Sequence, residues 1–144
     1  MAAALEGCLY GISSVGFSLN NFSRSADFSA CKKIVRSVMN KLSEEPLPQG
    51  ICLNINIPDI AEDQIKGIMI CRQARGNWEE EFAKRKDPMG KTYYWLTGSF
   101  RNREPEATDT DEWALANGYV SIVPVSVDMT AYSYIDGLKD KFGR

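Results

Sequence analysis

The stretch MAAALEGCLYGISSVGFSL, residues 1–19, decides how the rest of the chain is read. Its small residues run without a breaker to Gly11, which predicts a helix over 2–10. The segment ISSVGFSL follows at once as a short apolar strand, and Gly16 inside it predicts close approach of another backbone. Helices of this kind ordinarily follow a strand and a tight loop. The stretch therefore raises the question of what belongs ahead of Met1.

Outward from it, the chain alternates between helical and strand patterns. SADFSACKKIVRSVMNKLSEE (25–45) places Cys31, Ile34, Val35, Val38 and Leu42 on one helical face, with Ser25 or Asp27 as cap and PLPQG as terminator. In ICLNINIP (51–58), Ile51, Leu53, Ile55 and Ile57 point one way and Cys52, Asn54 and Asn56 the other, so it reads as a strand closed by Pro58. A further strand is expected within IKGIMICRQAR (65–75). The next segment, NWEEEFAKRKDPMGKTYYWLTG (77–98), has helical spacings, Trp78 to Phe82 and Glu81 to Arg85. It also holds DPMG, a type I turn sequence, followed by the β-prone KTYYWL, and a long hairpin is the expectation. DTDEWALANG (109–118) reads as a short helix capped by Asp109, with Glu112 three residues on and Gly118 past its end. YVSIVPVSV (119–127) is a strand in which Pro124 argues for an edge or a bulge. DMTAYSYIDGLKDKF (128–142) is a last helix presenting Tyr132, Ile135, Leu138 and Phe142 on one side. Alternation of this kind defines an α/β protein.

Composition narrows the function classes. No apolar run reaches the roughly 18–20 residues that span a bilayer, and the N-terminus lacks a basic leader, so no membrane partner and a cytoplasmic location are expected. The four cysteines are scattered and the chain has no histidine. A zinc set and the commonest general base are thereby excluded, and the cysteines read as reduced core thiols. Net charge is −2, yet residues 66–103 hold nine Lys/Arg against four Asp/Glu. RQAR and KRK near Trp78, Tyr93, Tyr94 and Trp95 suit single-stranded nucleic acid. The pI near 5.2 and the interleaved acids weigh against nucleic acid as a partner. EEE at 79–81 reads as solvated charge. Asp109 and Asp111 form a D-x-D pair, but no apolar strand leads into it, and capping explains it more simply. Asn54 and Asn56 share the polar face of a strand, facing either a polar crevice or a neighbouring loop. No catalytic residue and no metal ligand is assigned in this chain.

AALEGCLYGISSVGFS, LNINIPD, IKGIMICRQAR, DPMGKTYYWLTG and TDEWALANGYVSIVPV resemble, in order, segments of the survival protein SurE family of nucleotidases. One departure is Val123, where the family usually has threonine. The resemblance implies a SurE-like, Rossmann-like three-layer α/β fold lacking its N-terminal strands, with a projecting β-hairpin and a C-terminal helix for subunit exchange. The expected division is a core over 1–75, an oligomerisation hairpin over 76–103, and a C-terminal strand and exchanged helix over 104–144. The family implies hydrolysis of nucleoside monophosphates with a divalent metal, Mg²⁺ or Mn²⁺. Its metal ligands and a Ser-Gly-Thr phosphate-binding turn lie ahead of the segment that Met1 begins, which answers the opening question. This chain alone is therefore expected to be a C-terminal portion, inactive and without bound metal. Asn56, Thr110 and Asp111 are expected beside the substrate. Trp78, Phe82, Tyr94 and Trp95 are expected at an interface with further copies, in a dimer or tetramer. The alternative is a non-catalytic oligomerisation or binding module.

Overall fold

The computed structural model describes residues 1–79 and 82–143. The central sheet has four strands in the order β1-β2-β8-β3, where β1 is Val15–Leu19, β2 Ile51–Ile57, β3 Ile68–Ile70 and β8 Val120–Ser126. β1 and β2 run parallel, from Val15 opposite Leu53 to Leu19 opposite Ile57. β8 lies antiparallel to β2, with Asn56 opposite Ser121 and Asn54 opposite Val123. β3 runs alongside β8 in the same direction, Ile68 opposite Val120.

Both faces of this sheet are covered. α2 (Ser29–Glu44) lays Cys31 and Val38 on Ile55, Ile57, Val120 and Ile122, with Phe17 and Leu53 partly buried beside them. On the other face α3 (Asp111–Ala116) packs Ala114 on Cys71 and Val123. α1 (Ala2–Leu9) lies on the same side, with Ala4 and Cys8 buried. The result is a three-layer α/β fold. Ile55 and Ile57 are each no more than 1% exposed, and burying such a side chain contributes about 1.5–3 kcal/mol.

Local signals mostly carry over, with shifts that have clear causes. Ser25 does not cap α2; its amide and hydroxyl turn to Ser23. Asp27 accepts hydrogen bonds from the Ser29 amide and hydroxyl just ahead of the helix, while Phe28 holds the cap position. Pro124 lies in β8, which is not an edge strand of the sheet. On its β3 side Val120 donates to Gly67 and Ile122 accepts from Cys71. Pro124 has the same parity, but β3 has ended at Ile70, so its missing N–H breaks no bond there.

Residues 76–103 form the arm expected from the sequence, split into two successive ribbons. β4 (Gly76–Glu79) pairs with β7 (Ser99–Asn102), and β5 (Phe82–Lys86) pairs with β6 (Thr92–Leu96). The helical alternative is excluded; Glu80 and Glu81, and with them the Glu81–Arg85 spacing and part of the EEE run, lie outside the described residues. At the tip the Asp87 carboxylate accepts from the Met89 and Lys91 amides, and Gly90 takes φ 82°, which glycine adopts without strain. At the root a Cβ on Gly76 would stand 2.3 Å from the Phe100 ring, so only glycine allows that crossing. The last helix, α4 (Tyr132–Phe142), buries none of its residues. Among the described residues no helix is long and apolar enough to cross a membrane.

If the core sits where the strands place it, Ile55→Ala should lower stability by about 2–5 kcal/mol in urea unfolding. Ile70→Ala, at a side chain 68% exposed, should change it by no more than about 0.5 kcal/mol. Equal losses at the two positions would contradict this placement of the core.

Candidate active-site face

Residues paired directly across strands project to the same face of a sheet. Ser18 pairs with Asn56, Asn56 with Ser121, and Ser121 with Met69, so these four form one row across the sheet. The row lies on the α1/α3 side and near the carboxyl ends of β1 and β2, the place where open α/β sheets bind ligands. The neighbouring row holds Gly16, Asn54 and Val123. α1 begins directly over Gly16, where a Cβ would meet the Met1 sulfur at 2.8 Å and the Ala4 Cβ at 3.7 Å. The close approach read from Gly16 in the sequence is thus made by α1.

Two features make this floor chemically distinctive. Ser121 is fully buried, and its Oγ has no hydrogen-bond partner among the described residues. Leaving such a group unpaired costs about 1–3 kcal/mol. Asn56 beside it is half-buried and makes no side-chain hydrogen bond among the described residues. The first turn of α1 lies over Gly16 in the neighbouring row, and the amides of a helix's first turn present its positive end, which favours an anion.

Thr110 and Asp111 belong to a different construction. Thr110, not Asp109, caps α3: its Oγ1 accepts from the Trp113 amide at 3.2 Å and donates to the Ala107 carbonyl at 3.1 Å. The Asp111 carboxylate accepts from the Ala74 amide at 2.8 Å and from its neighbour Glu112 at 2.9 Å. Asp109 is drawn away from capping by Arg72, whose Nε lies 2.8 Å from its Oδ2. Arg72 also grips Glu104, which accepts in addition from the Arg75 amide. Residues 72–75 and 104–111 are thereby clamped together, and the two aspartates of the D-x-D pair serve different partners. Hydrogen bonds from Arg72, then from the Arg75 amide, hold the Glu104 carboxyl below the usual carboxylate range. Burial, with Asp111 nearby, pushes the Glu112 carboxyl up.

The structure therefore does not gather the expected substrate-side residues in one place. Arg72, which bridges Thr110, is three residues beyond Met69 in the Ser121 row, about 10 Å along the strand direction. Asn56 lies on the polar floor, while the Thr110 hydroxyl is committed to the α3 cap and Asp111 Oδ1 accepts from the Ala74 and Glu112 amides. Ser18 and Ser121 join the floor without having been singled out, because only strand register shows that they flank Asn56. Among the described residues no group of three or more His, Cys, Asp or Glu side chains is placed to hold a metal ion. The residues present do not fit a divalent-metal centre.

The interface candidates are all on the arm. Trp78, Phe82, Tyr94 and Trp95 are between 56% and 64% exposed. Trp78 meets only the edge of Phe100, at 6.3 Å between ring centroids, and beside it runs an open apolar groove of about 510 Å³ bordered by Leu96 and Gly98.

A three-layer arrangement with a polar row at strand ends and a two-stranded arm describes an α/β protein of the open-sheet class. Comparison with known proteins makes that specific. The family model for survival protein SurE matches residues 1–80. The protein named 5'-nucleotidase SurE from Christiangramia forsetii is 49% identical over 138 residues, covering 96% of this chain and 53% of that one. Its namesake from Phocaeicola vulgatus is 48% identical over 140 residues, covering 97% of this chain and 54% of that one. The crystal structure of the SurE protein from Aquifex aeolicus superposes with a TM-score of 0.75 at 33% identity, over 97% of this chain and 56% of that one. The chain belongs to the survival protein SurE family, and it spans about half the length of the curated relatives it matches.

Thr110→Ala should cost about 1 kcal/mol, the usual loss for a helix cap, read in urea unfolding. Glu104 sets a pH dependence whose sign is fixed. Its folded pKa is depressed, so its contribution is present above the unfolded value near 4.3 and is lost as pH falls through the lower, folded value. Glu104→Gln should therefore flatten the stability–pH curve below about pH 4.5; an unchanged acid limb would show that the Arg72 clamp is not linked to folding.

Proposed function

We propose that this chain supplies the sheet, polar floor and subunit contacts of a metal-dependent, cytoplasmic nucleoside monophosphate phosphatase that hydrolyses phosphomonoesters. The observation that carries the reading is the start of α1 over Gly16, next to the row that holds Asn56 and a buried Ser121 hydroxyl without a partner among the described residues. A phosphate suits that position by charge, and the matched relatives carry the name 5'-nucleotidase SurE. In this reading the divalent metal, Mg²⁺ or Mn²⁺, is held mainly by residues of the wider protein, and the 144 residues alone have no turnover. The reading is supported by the lack of any group of three or more His, Cys, Asp or Glu placed together among the described residues.

Residues 76–103 act in this proposal as an arm that reaches a second copy, and 104–144 contribute a strand and an exchanged helix. The exposed rings of the arm support it, because an isolated two-stranded ribbon is marginal in water and aromatic clusters left bare mark interfaces. Removing 80–93 and closing the ends with a short turn should lower the mass in light scattering; an unchanged mass would count against the arm.

The catalytic part is tested with AMP and Mn²⁺ or Mg²⁺. The chain alone should match the metal-free control. Adding the part of the Christiangramia forsetii relative that this chain does not match should give metal-dependent phosphate release and a higher melting temperature. Asn56→Ala in the mixture should cut kcat/KM by tenfold or more, about 1.4 kcal/mol, if the amide touches substrate or its phosphate. Turnover by the chain alone would place the catalytic groups within these residues and overturn the reading, whereas no response to the added part would favour the non-catalytic module.

A further inference from the structure

The buried cysteines divide into a facing pair and two that stand apart. Ala4 lies over Gly16, which pairs with Asn54. α1 runs against the direction of β1 and β2, because its C-terminal end turns through Gly11 into the start of β1. From Ala4 to Cys8 the helix advances about 6 Å. From Asn54 back to Cys52 the strand covers nearly the same length, about 6.6 Å. The two steps carry Cys8 over Cys52. Their exposures are 4% and 0%, both are free thiols, and Cys8 is near enough to Cys52 to add to the upward push that burial gives its thiol. Cys31 sits under α2 on the opposite face of the sheet, and Cys71 packs against Ala114 and Val123.

We propose that Cys8 and Cys52 are a peroxide-responsive thiol pair that closes to a disulfide and ties α1 to β2. Cys8 is the attacking thiol, because it borders a cleft of about 430 Å³ formed with Gly11, Ser13, Pro48 and Gly50 that gives a small oxidant a path. The Cys8 sulfur, as thiolate, attacks one oxygen of hydrogen peroxide and the O–O bond breaks. The departing hydroxide takes up the thiol's proton and leaves as water, and Cys8 becomes a sulfenic acid. The Cys52 sulfur then attacks the Cys8 sulfur and the S–O bond breaks. The displaced hydroxide takes the Cys52 proton as a second water, and the S–S bond forms. Two thiols lose two electrons and one peroxide gains them. Burial pushes the Cys52 thiol up, which leaves the first attack on peroxide to Cys8; Cys52 attacks second, as it gives up its proton to the displaced hydroxide. The linkage would fix the helix whose start overlies the polar floor, yet it does not depend on the phosphatase reading.

The test treats the folded chain with near-stoichiometric hydrogen peroxide, alkylates remaining thiols in denaturant, and maps the peptides by mass spectrometry. Alkylated thiols should fall from four to two, with a single intrachain link between Cys8 and Cys52 that dithiothreitol reverses. The melting temperature of the oxidised chain should rise. C8S and C52S should each abolish the link, whereas C31S and C71S should keep it. The wild-type map stands alone if a variant folds poorly. Four thiols remaining, a link to Cys31 or Cys71, a link between chains, or Cys8 passing to sulfinic acid without pairing would overturn the proposal.

Discussion

The antiparallel pairing of β2 with β8 is the contact on which the rest of the molecule leans. Both strands are flanked by others and covered on both faces, so their apolar residues supply most of the inner core: Ile55, Ile57, Val120 and Ile122 toward α2, and Val123 toward α3. β1 and β3 are placed by hydrogen bonding to this pair, and the three packed helices by the faces it presents. Register is fixed here because a one-residue slip would turn Ile55 and Ile57 to the polar face and Asn54 and Asn56 into the α2 core.

The same pairing creates the polar floor. Once Ile55 points to α2, Asn56 must point to the other side, and Ser121 opposite it must do likewise. A buried hydroxyl without a partner is uncommon in a core and expensive to keep. It lies beside the half-buried amide of Asn56, so the two make a polar strip in an otherwise apolar sheet. Thr110 and Asp111 show the contrast. The Thr110 hydroxyl and Asp111 Oδ1 are bonded to backbone amides and a carbonyl, and they tie α3 to the segment after β3.

A second tension runs through the outer parts. The arm and α4 carry large apolar side chains that this chain by itself does not cover; Phe82, Leu96, Tyr132 and Phe142 are all more than 60% exposed. The sheet packs its apolar residues against α2, α1 and α3. The excess of Lys and Arg lies in 66–103 and the excess of Asp and Glu beyond it, a pattern that suits either phosphate or a facing copy.

How much of this was legible in the sequence follows from the range of the forces involved. The sequence alone determined the helix and strand periodicities, the turn at Asp87–Gly90, the close approach at Gly16 and the family resemblance, because propensity, alternation and turn chemistry act over a few residues. Some local readings missed by small margins: Asp109 was the nearer acid, but a salt bridge to Arg72, 37 residues away, left Thr110 to cap α3. Only the tertiary structure decided that Ser18, Asn56 and Ser121 share one row, that Thr110 and Asp111 stand apart from it, and that Cys8 lies over Cys52. Those facts depend on which strand lies beside which and in what register, and the pairing of residues as distant as Asn56 and Ser121 is set by burial of the whole sheet.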